Sequence, residues 1–235
     1  MDGSRPVKVP HLHDWDIDYG EARELQEELA SRVRLCPLPE DVRVVAGADA
    51  AFSRKAGRCF AAVVVMEFPP GDVVERHTAV RPTPIPYIPG LLSFREGNVV
   101  LEAFREVEQE PDAVIFDGQG RAHPRRLGLA SHMGLWLGVP TVGCAKSRLV
   151  GEYEQPGRQK GEHVPLTDEG ERIGDVVRTR TDVKPVFVSP GHLSDVPSSR
   201  ELVLRCCTKY KLPEPTRQAH IEVGKAKTRF LEGGG

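Results

Sequence analysis

The stretch Val114–Gly151, VIFDGQGRAHPRRLGLASHMGLWLGVPTVGCAKSRLVG, decides how the rest of the chain is arranged. It reads as strand, loop, helix and strand. Val114 to Phe116 is a short apolar run rich in β-formers, as a buried strand requires. Asp117 closes that run, and Gly118 and Gly120 let the backbone turn tightly and approach whatever Asp117 holds. Pro124 suits the first turn of a helix, where its missing N–H is no loss. Leu127, Ala130, His132, Gly134, Leu135 and Leu137 follow, with enough small residues for that helix to lie close on a sheet. Gly138 and Pro140 stop it, and Val139–Ala145 becomes the next strand with Lys146 at its end. Open α/β sheets gather their chemistry beyond the carboxyl ends of strands. Asp117 and Lys146 fall there, with His123, Arg125 and Arg126 beside them. One carboxylate among these cations points to an anion site with a metal anchor.

Upstream, residues 1–16 have no period and read as an extended arm. Tyr19–Leu35 is helical, with Ala22, Leu25, Leu29 and Val33 on one face, and Pro37 and Pro39 end it. Three strand-like runs follow, Val42–Phe52, Cys59–Phe68 and Val73–Val80, with turns at Gly57 and Pro69-Pro70-Gly71, so an antiparallel meander is predicted. Period two puts Arg43, Val45, Gly47 and Asp49 on one face of the first strand. An unpaired carboxylate is costly in such a place, so Asp49 needs a cation or strong donors. Residues 81–96, RPTPIPYIPGLLSFRE, hold four prolines and are expected to be irregular, with Tyr87 at the tip of a stiff loop. Gly97–Gln109 is the next predicted helix, with Glu96 at its start.

Downstream, residues 151–172 are charged and read as loop with at most a short hairpin. Asp175–Thr181 and Pro185–Val188 look like strands. Ser194-Asp195 can cap a helix running to about Tyr210, and Thr216–Lys227 is a last helix carrying Arg217 and His220. Residues 228–235 are expected to fray. No repeat or linker divides the chain, so residues 1–235 are read as one domain.

Composition narrows the class. The net charge is −2, so any nucleic-acid surface must be a local basic patch. No apolar run is long enough to span a membrane, and the N-terminus lacks the apolar centre of a signal peptide. Five cysteines without a CxxC pair read as reduced thiols in a cytosolic protein. Signatures for nucleoside-triphosphate loops, zinc proteases and serine hydrolases are absent. The element order is that of an α/β, ribonuclease H-like mixed sheet: three antiparallel strands, then parallel strands, flanked by helices. In that layout carboxylates from mid-strand one, the helix after the meander and the end of strand four meet.

Asp49, Glu96 and Asp117 are thus candidates for a magnesium site, since Mg²⁺ takes one or two carboxylates plus waters and a phosphate. Singly, each also fits a solvated loop or cap residue. His123, Arg125, Arg126 and Lys146 suit phosphate binding or, taken alone, a solvated helix face. Tyr87 between prolines fits a wedge that replaces an extracted base, or a loop packed on its own core. His132 fits a core histidine as well as a substrate contact. His220 fits a metal ligand or base, or a structural role.

The blocks VAGADAAF (45–52), PYIPGLLSFRE (86–96), DGQGRAHPRRLGLASHMGLWLGVPTVGCAKSRLVG (117–151) and LPEPTRQAH (212–220) together resemble the endonuclease V family. The resemblance covers roughly residues 20–225. It implies a ribonuclease H-like fold and Mg²⁺- or Mn²⁺-dependent cleavage of DNA containing deoxyinosine, or of inosine RNA. Cutting is implied at the second phosphodiester 3′ to the lesion, leaving 3′-hydroxyl and 5′-phosphate ends and starting repair of deaminated adenine. Carried over residue by residue, Asp49, Glu96 and Asp117 match the catalytic carboxylates and His220 the histidine that completes the metal site. Tyr87, with Pro86, Ile88, Pro89 and Gly90, matches the wedge loop. Gly118, Gln119 and Gly120 would lie near the flipped base. His123 and Lys146 match residues near the scissile phosphate, with Arg125 and Arg126 adjacent, and Arg95 and His132 match further motif positions. Gln119 departs from the pattern, where His is expected in many members, and Ser53 and Arg54 are more polar than expected. A monomer is expected. The competing readings are a binding module without catalysis, which the intact carboxylates oppose, and a nuclease for flaps or junctions, which the PYIP loop opposes.

Overall fold

The computed structural model describes residues 9–233 except 70, 84, 85 and 87. In chain order the elements are α1 (Tyr19–Ala30), β1 (Val44–Ser53), β2 (Arg58–Glu67), β3 (Val73–Pro82), α2 (Leu92–Phe104), β4 (Ala113–Phe116) and α3 (Leu129–Leu137). β5 (Thr141–Ala145), β6 (His163–Asp168), β7 (Glu171–Val177), β8 (Val186–Pro190), α4 (Val196–Cys206) and α5 (Glu214–Leu231) complete them. The strands form one sheet in the order β3-β2-β1-β4-β5-β8-β7-β6. β1 to β3 are an antiparallel meander, β4 and β5 run parallel to β1, and β8 returns antiparallel to β5. This is the expected α/β, ribonuclease H-like layout.

Alternation along the strands builds a core on each face. Ala46, Ala48, Val63, Val65, Val114 and Phe116 face α2 and α3, where Phe104, Met133 and Trp136 meet them. On the opposite face Val45, Ile115, Val142 and Val188 meet Leu202 and Val203 of α4. Phe60, Val64 and Met66 meet Val223 and Ala219 of α5 there. Local signals start and stop the helices. Asp18 and Glu21 form a capping box for α1, Asp195 caps α4, and Gly138 in the left-handed region ends α3.

The structure departs from the sequence-based expectations in several places. α1 ends at Ala30, short of Leu35. α2 begins at Leu92, so the last part of 81–96 is helical and Glu96 lies a turn inside the helix rather than at its start. No proline follows Pro89 there, and Leu91 and Phe94 are buried, so packing pulls the segment into a helix. α3 starts at Leu129 rather than near Pro124, because Arg126 takes a left-handed backbone (φ 55°) incompatible with a continuous helix. The charged 151–172 stretch supplies β6 and the start of β7, a hairpin that extends the sheet. α4 stops at Cys206 rather than near Tyr210, and α5 continues past Lys227 to Leu231.

Candidate active site

β1, β4 and α5 bring three groups together. Asp49 and Gly47 lie on the face of β1 that receives α5. A Cβ on Gly47 would stand 2.1 Å from the Pro215 carbonyl carbon, so only glycine lets the first turn of α5 touch the strand. That contact carries His220 over Asp49, whose carboxylate accepts a 2.7 Å hydrogen bond from His220 Nδ1. Asp117 follows β4 directly, and its amide donates to the Ala48 carbonyl of the parallel neighbour at 3.2 Å. Asp49, Asp117 and His220 each place one donor atom within 4.8 Å of the others, an arrangement able to hold a metal ion. Lys146, just past β5, donates from Nζ to the Asp117 carboxylate.

The electrostatics are those of crowded carboxylates. Burial, then the charge of Asp117, raises the Asp49 pKa, while His220 and Lys146 pull it back. Glu96 on α2 lies outside the tight cluster but senses it. Burial raises its pKa to about 7, Arg95 opposes the rise, and Asp49 and Asp117 add to it. The charge of Asp117 raises the pKa values of both Asp49 and Glu96, and carboxylates crowded in this way call for a cation.

Beside the cluster opens a cavity of about 380 Å³; Asp117 belongs to both, and its partner Lys146 lines the cavity. Its walls include Gly90, Ser93, Gly118, Gln119 and His123. The Gly90 carbonyl accepts from Gln26 Nε2 (2.9 Å), His123 Nε2 (3.0 Å) and Arg125 (3.1 Å). The Arg125 amide donates to His123 Nδ1 at 3.2 Å, so the ring is the neutral Nε2–H tautomer. Burial agrees, pushing the His123 pKa down to about 4. Gln119 occupies its departure from the family pattern as a buried side chain, donating to the Ser147 carbonyl at 2.9 Å. The loop lies hard against β5 and β8. A Cβ on Gly143 would meet the Gly120 nitrogen at 2.4 Å, and one on Gly120 the Pro190 carbonyl oxygen at 2.1 Å.

Other predicted residues sit elsewhere. Arg126 pairs with Asp168 and Glu171 of the β6–β7 hairpin at 2.8 Å, and Arg125 bonds Gln26 Oε1 at 2.6 Å. Both guanidinium groups therefore hold the loop in place. Arg95 stacks its guanidinium 4.1 Å from the Phe52 ring centre. His132 is fully buried, bonded to Ser93 and His13 rather than facing the cavity. Pro86 and Pro89 are exposed and Ile88 is half-buried, while Tyr87 lies outside the described residues. Sequence reasoning missed Gln26, Ser93 and the Ser147–Leu149 wall. Gln26 had a usable signal, a polar residue four positions after Ala22 on the apolar face of α1.

The Endonuclease V family profile matches residues 27–221. The chain belongs to the Endonuclease V family. An Endonuclease V of Dehalococcoides mccartyi is 47% identical over 215 residues, spanning 92% of this chain and 96% of that one. The crystal structure of the Streptomyces avermitilis Endonuclease V superposes with a TM-score of 0.89 at 39% identity, covering 97% of this chain and all of that one. A Ciona intestinalis Endonuclease V, solved in complex with a 24mer DNA containing an inosine followed by a ribo-adenosine, gives a TM-score of 0.78 at 26% identity, over 90% and 98% of the two chains. As an Endonuclease V family member the chain is an endonuclease, a phosphodiester hydrolase. Among the described residues no helix is long and apolar enough to cross a membrane.

Proposed function

We propose that this endonuclease recognises deoxyinosine in DNA, accepts inosine in RNA through the same pocket, and hydrolyses the second phosphodiester 3′ to the base. The products carry 3′-hydroxyl and 5′-phosphate ends, and the cut begins repair of deaminated adenine. The observation that carries this reading is the shared wall: Asp117 belongs both to the acid–histidine cluster and to the cavity, and Lys146, which also lines the cavity, donates to that carboxylate. A base lodged in the cavity leaves its own strand running past the carboxylates. The inosine-containing DNA bound by the Ciona relative supports the substrate class.

In this reading Asp49, Glu96, Asp117 and His220 hold Mg²⁺, with Mn²⁺ as a substitute. Two carboxylates with a third nearby and one imidazole make a hard, mostly oxygen donor set that fits either ion. When bound, such an ion activates water for in-line attack and stabilises the leaving oxygen. Lys146 is aimed by Asp117 and offsets negative charge that develops on the phosphate. His123 stays neutral and holds the Gly90 carbonyl at the cavity wall, while the glycines at 118 and 120 let backbone groups approach the base. Pro86 to Pro89 with Tyr87 fill the space the base leaves. The chain acts as one domain and as a monomer, and its five free cysteines suit the reducing cytosol.

The test uses matched labelled oligonucleotides with and without one deoxyinosine, and an inosine RNA, in Mg²⁺ and in EDTA. Metal-dependent cutting one nucleotide past the inosine is expected. Equal cutting of the strand without inosine would overturn the specificity.

A further inference from the structure

Behind the cavity wall runs a chain of polar hydrogens whose direction is set at its His13 end. His13, in the segment before α1, bonds the Asp14 carbonyl through Nδ1 at 2.7 Å. A carbonyl only accepts, so that nitrogen carries the proton. His13 Nε2 accepts from the indole Nε1 of Trp136 at 3.2 Å, and an indole N–H only donates. The ring is therefore neutral with a lone pair on Nε2. His132 Nε2 lies 2.7 Å from that same atom, and because two lone pairs cannot face each other at this distance it is assigned as the donor in the shorter arm of a bifurcated bond on that lone pair. Neutral His132 then has a lone pair on Nδ1, which accepts the Ser93 hydroxyl proton at 2.9 Å. Burial lowers the pKa of both rings, which keeps them neutral. The rings are locked by their neighbours: Trp15 stacks on Trp136 with centroids 5.4 Å apart, and Phe94 lies 5.1 Å from His132.

Ser93 lines the cavity, and its one proton is already given away. We propose that His13 and His132 are positioning residues that fix Ser93 as a hydrogen-bond acceptor toward the bound base, making the segment before α1 part of the specificity pocket. This rests on the inosine reading above. Hypoxanthine offers an N1–H donor, whereas adenine offers a ring-nitrogen lone pair at the same position. An oxygen with only lone pairs left bonds the first and repels the second. A serine free to rotate would serve both bases, so the relay supplies discrimination that the hydroxyl alone lacks.

The inference predicts tautomers and selectivity separately. Nitrogen-15 spectra of histidine-labelled wild-type protein should find His13 protonated at Nδ1 and His132 at Nε2. His132 protonated at Nδ1 instead overturns the relay, whatever the enzyme cuts. Selectivity is the ratio of cleavage rates on deoxyinosine and deoxyadenosine strands. Losing one such hydrogen bond should lower that ratio about tenfold in Ser93→Ala. His13→Phe keeps the packing but removes the acceptor, so His132 should switch tautomer, Ser93 should become a donor, and the ratio should fall at least as far. His13→Gln restores an acceptor and should recover most of the ratio, which a purely structural role would not require. Thermal melts establish that each variant is folded. If folded His13→Phe and Ser93→Ala both keep wild-type selectivity, the proposal is overturned. A wild type that cuts neither strand brings down the inosine reading and the selectivity claim with it, while the tautomers still report on the relay.

Discussion

His220 Nδ1 donates to the Asp49 carboxylate at 2.7 Å across 171 residues of chain. The bond exists because α5 docks its first turn on Gly47, two residues before Asp49 on the same face of β1. Gly47→Ala would put a methyl group within 2.3 Å of both the Pro215 carbonyl carbon and its oxygen, and backbone cannot yield as a flexible side chain does. The expected cost is about 3 kcal/mol of stability. Cleavage should fall with it, since His220 is lifted off Asp49. Chemical denaturation and single-turnover cleavage of the same preparation check both.

Asp117 serves two partners, the cluster and Lys146. Asp117→Asn keeps the shape but removes the charge that would hold the metal and aim the lysine. Cleavage should drop by roughly 10³-fold, the scale of losing a key electrostatic group. Binding of an inosine oligonucleotide should stay within a few-fold, because the cavity is unchanged. Fluorescence anisotropy alongside a cleavage assay separates the two. Cutting at the wild-type rate would remove Asp117 from the metal site.

In the proposed metal site Glu96 would link metal binding to pH. Its folded pKa of about 7 lies above the ordinary 4.5, so the folded metal-free protein holds that proton more tightly than the unfolded chain. The contribution of Glu96 to metal-free stability is therefore fully present below pH 4.5 and is lost as pH rises through 7. Glu96→Gln should stabilise the metal-free protein by up to about 3 kcal/mol near pH 8, with no gain near pH 4, while abolishing cleavage. If Glu96 holds Mg²⁺ as proposed, the ion would compete with that proton, so affinity should weaken below pH 7. Calorimetric titrations in buffers of different ionisation heat would register the released proton.

His123 works in the opposite sense. Its folded pKa of about 4 lies below the ordinary 6.5, so between those values the unfolded chain binds the proton and the folded one does not. Stability present above pH 6.5 is lost as pH falls toward 4, by about 3 kcal/mol for this group. His123→Gln keeps a donor for the Gly90 carbonyl but does not titrate. Its urea midpoint should vary less across that window than the wild type's, and identical slopes would remove His123 from the acid response.

By itself the amino-acid sequence determined what depends on neighbours in the chain. Alternation put Gly47 and Asp49 on one face of β1, and β-formers followed by glycines set Asp117 at the end of β4. The quoted blocks identified the family that the comparisons establish. Only the tertiary structure decided which distant groups satisfy one another. Arg125 and Arg126 look like free cations in sequence, yet they meet Gln26, Asp168 and Glu171, whose identities carry no local signal of that pairing. His132 looks as suited to substrate as to core until His13 and Ser93 close on its two nitrogens. The helical start at Leu92 came from burial of Leu91 and Phe94, which outweighed a proline-rich approach. Periodicity is a property of adjacent residues and survives in sequence. Desolvation and hydrogen-bond satisfaction belong to the folded neighbourhood, and only there do the carboxylates crowd enough to call for a cation.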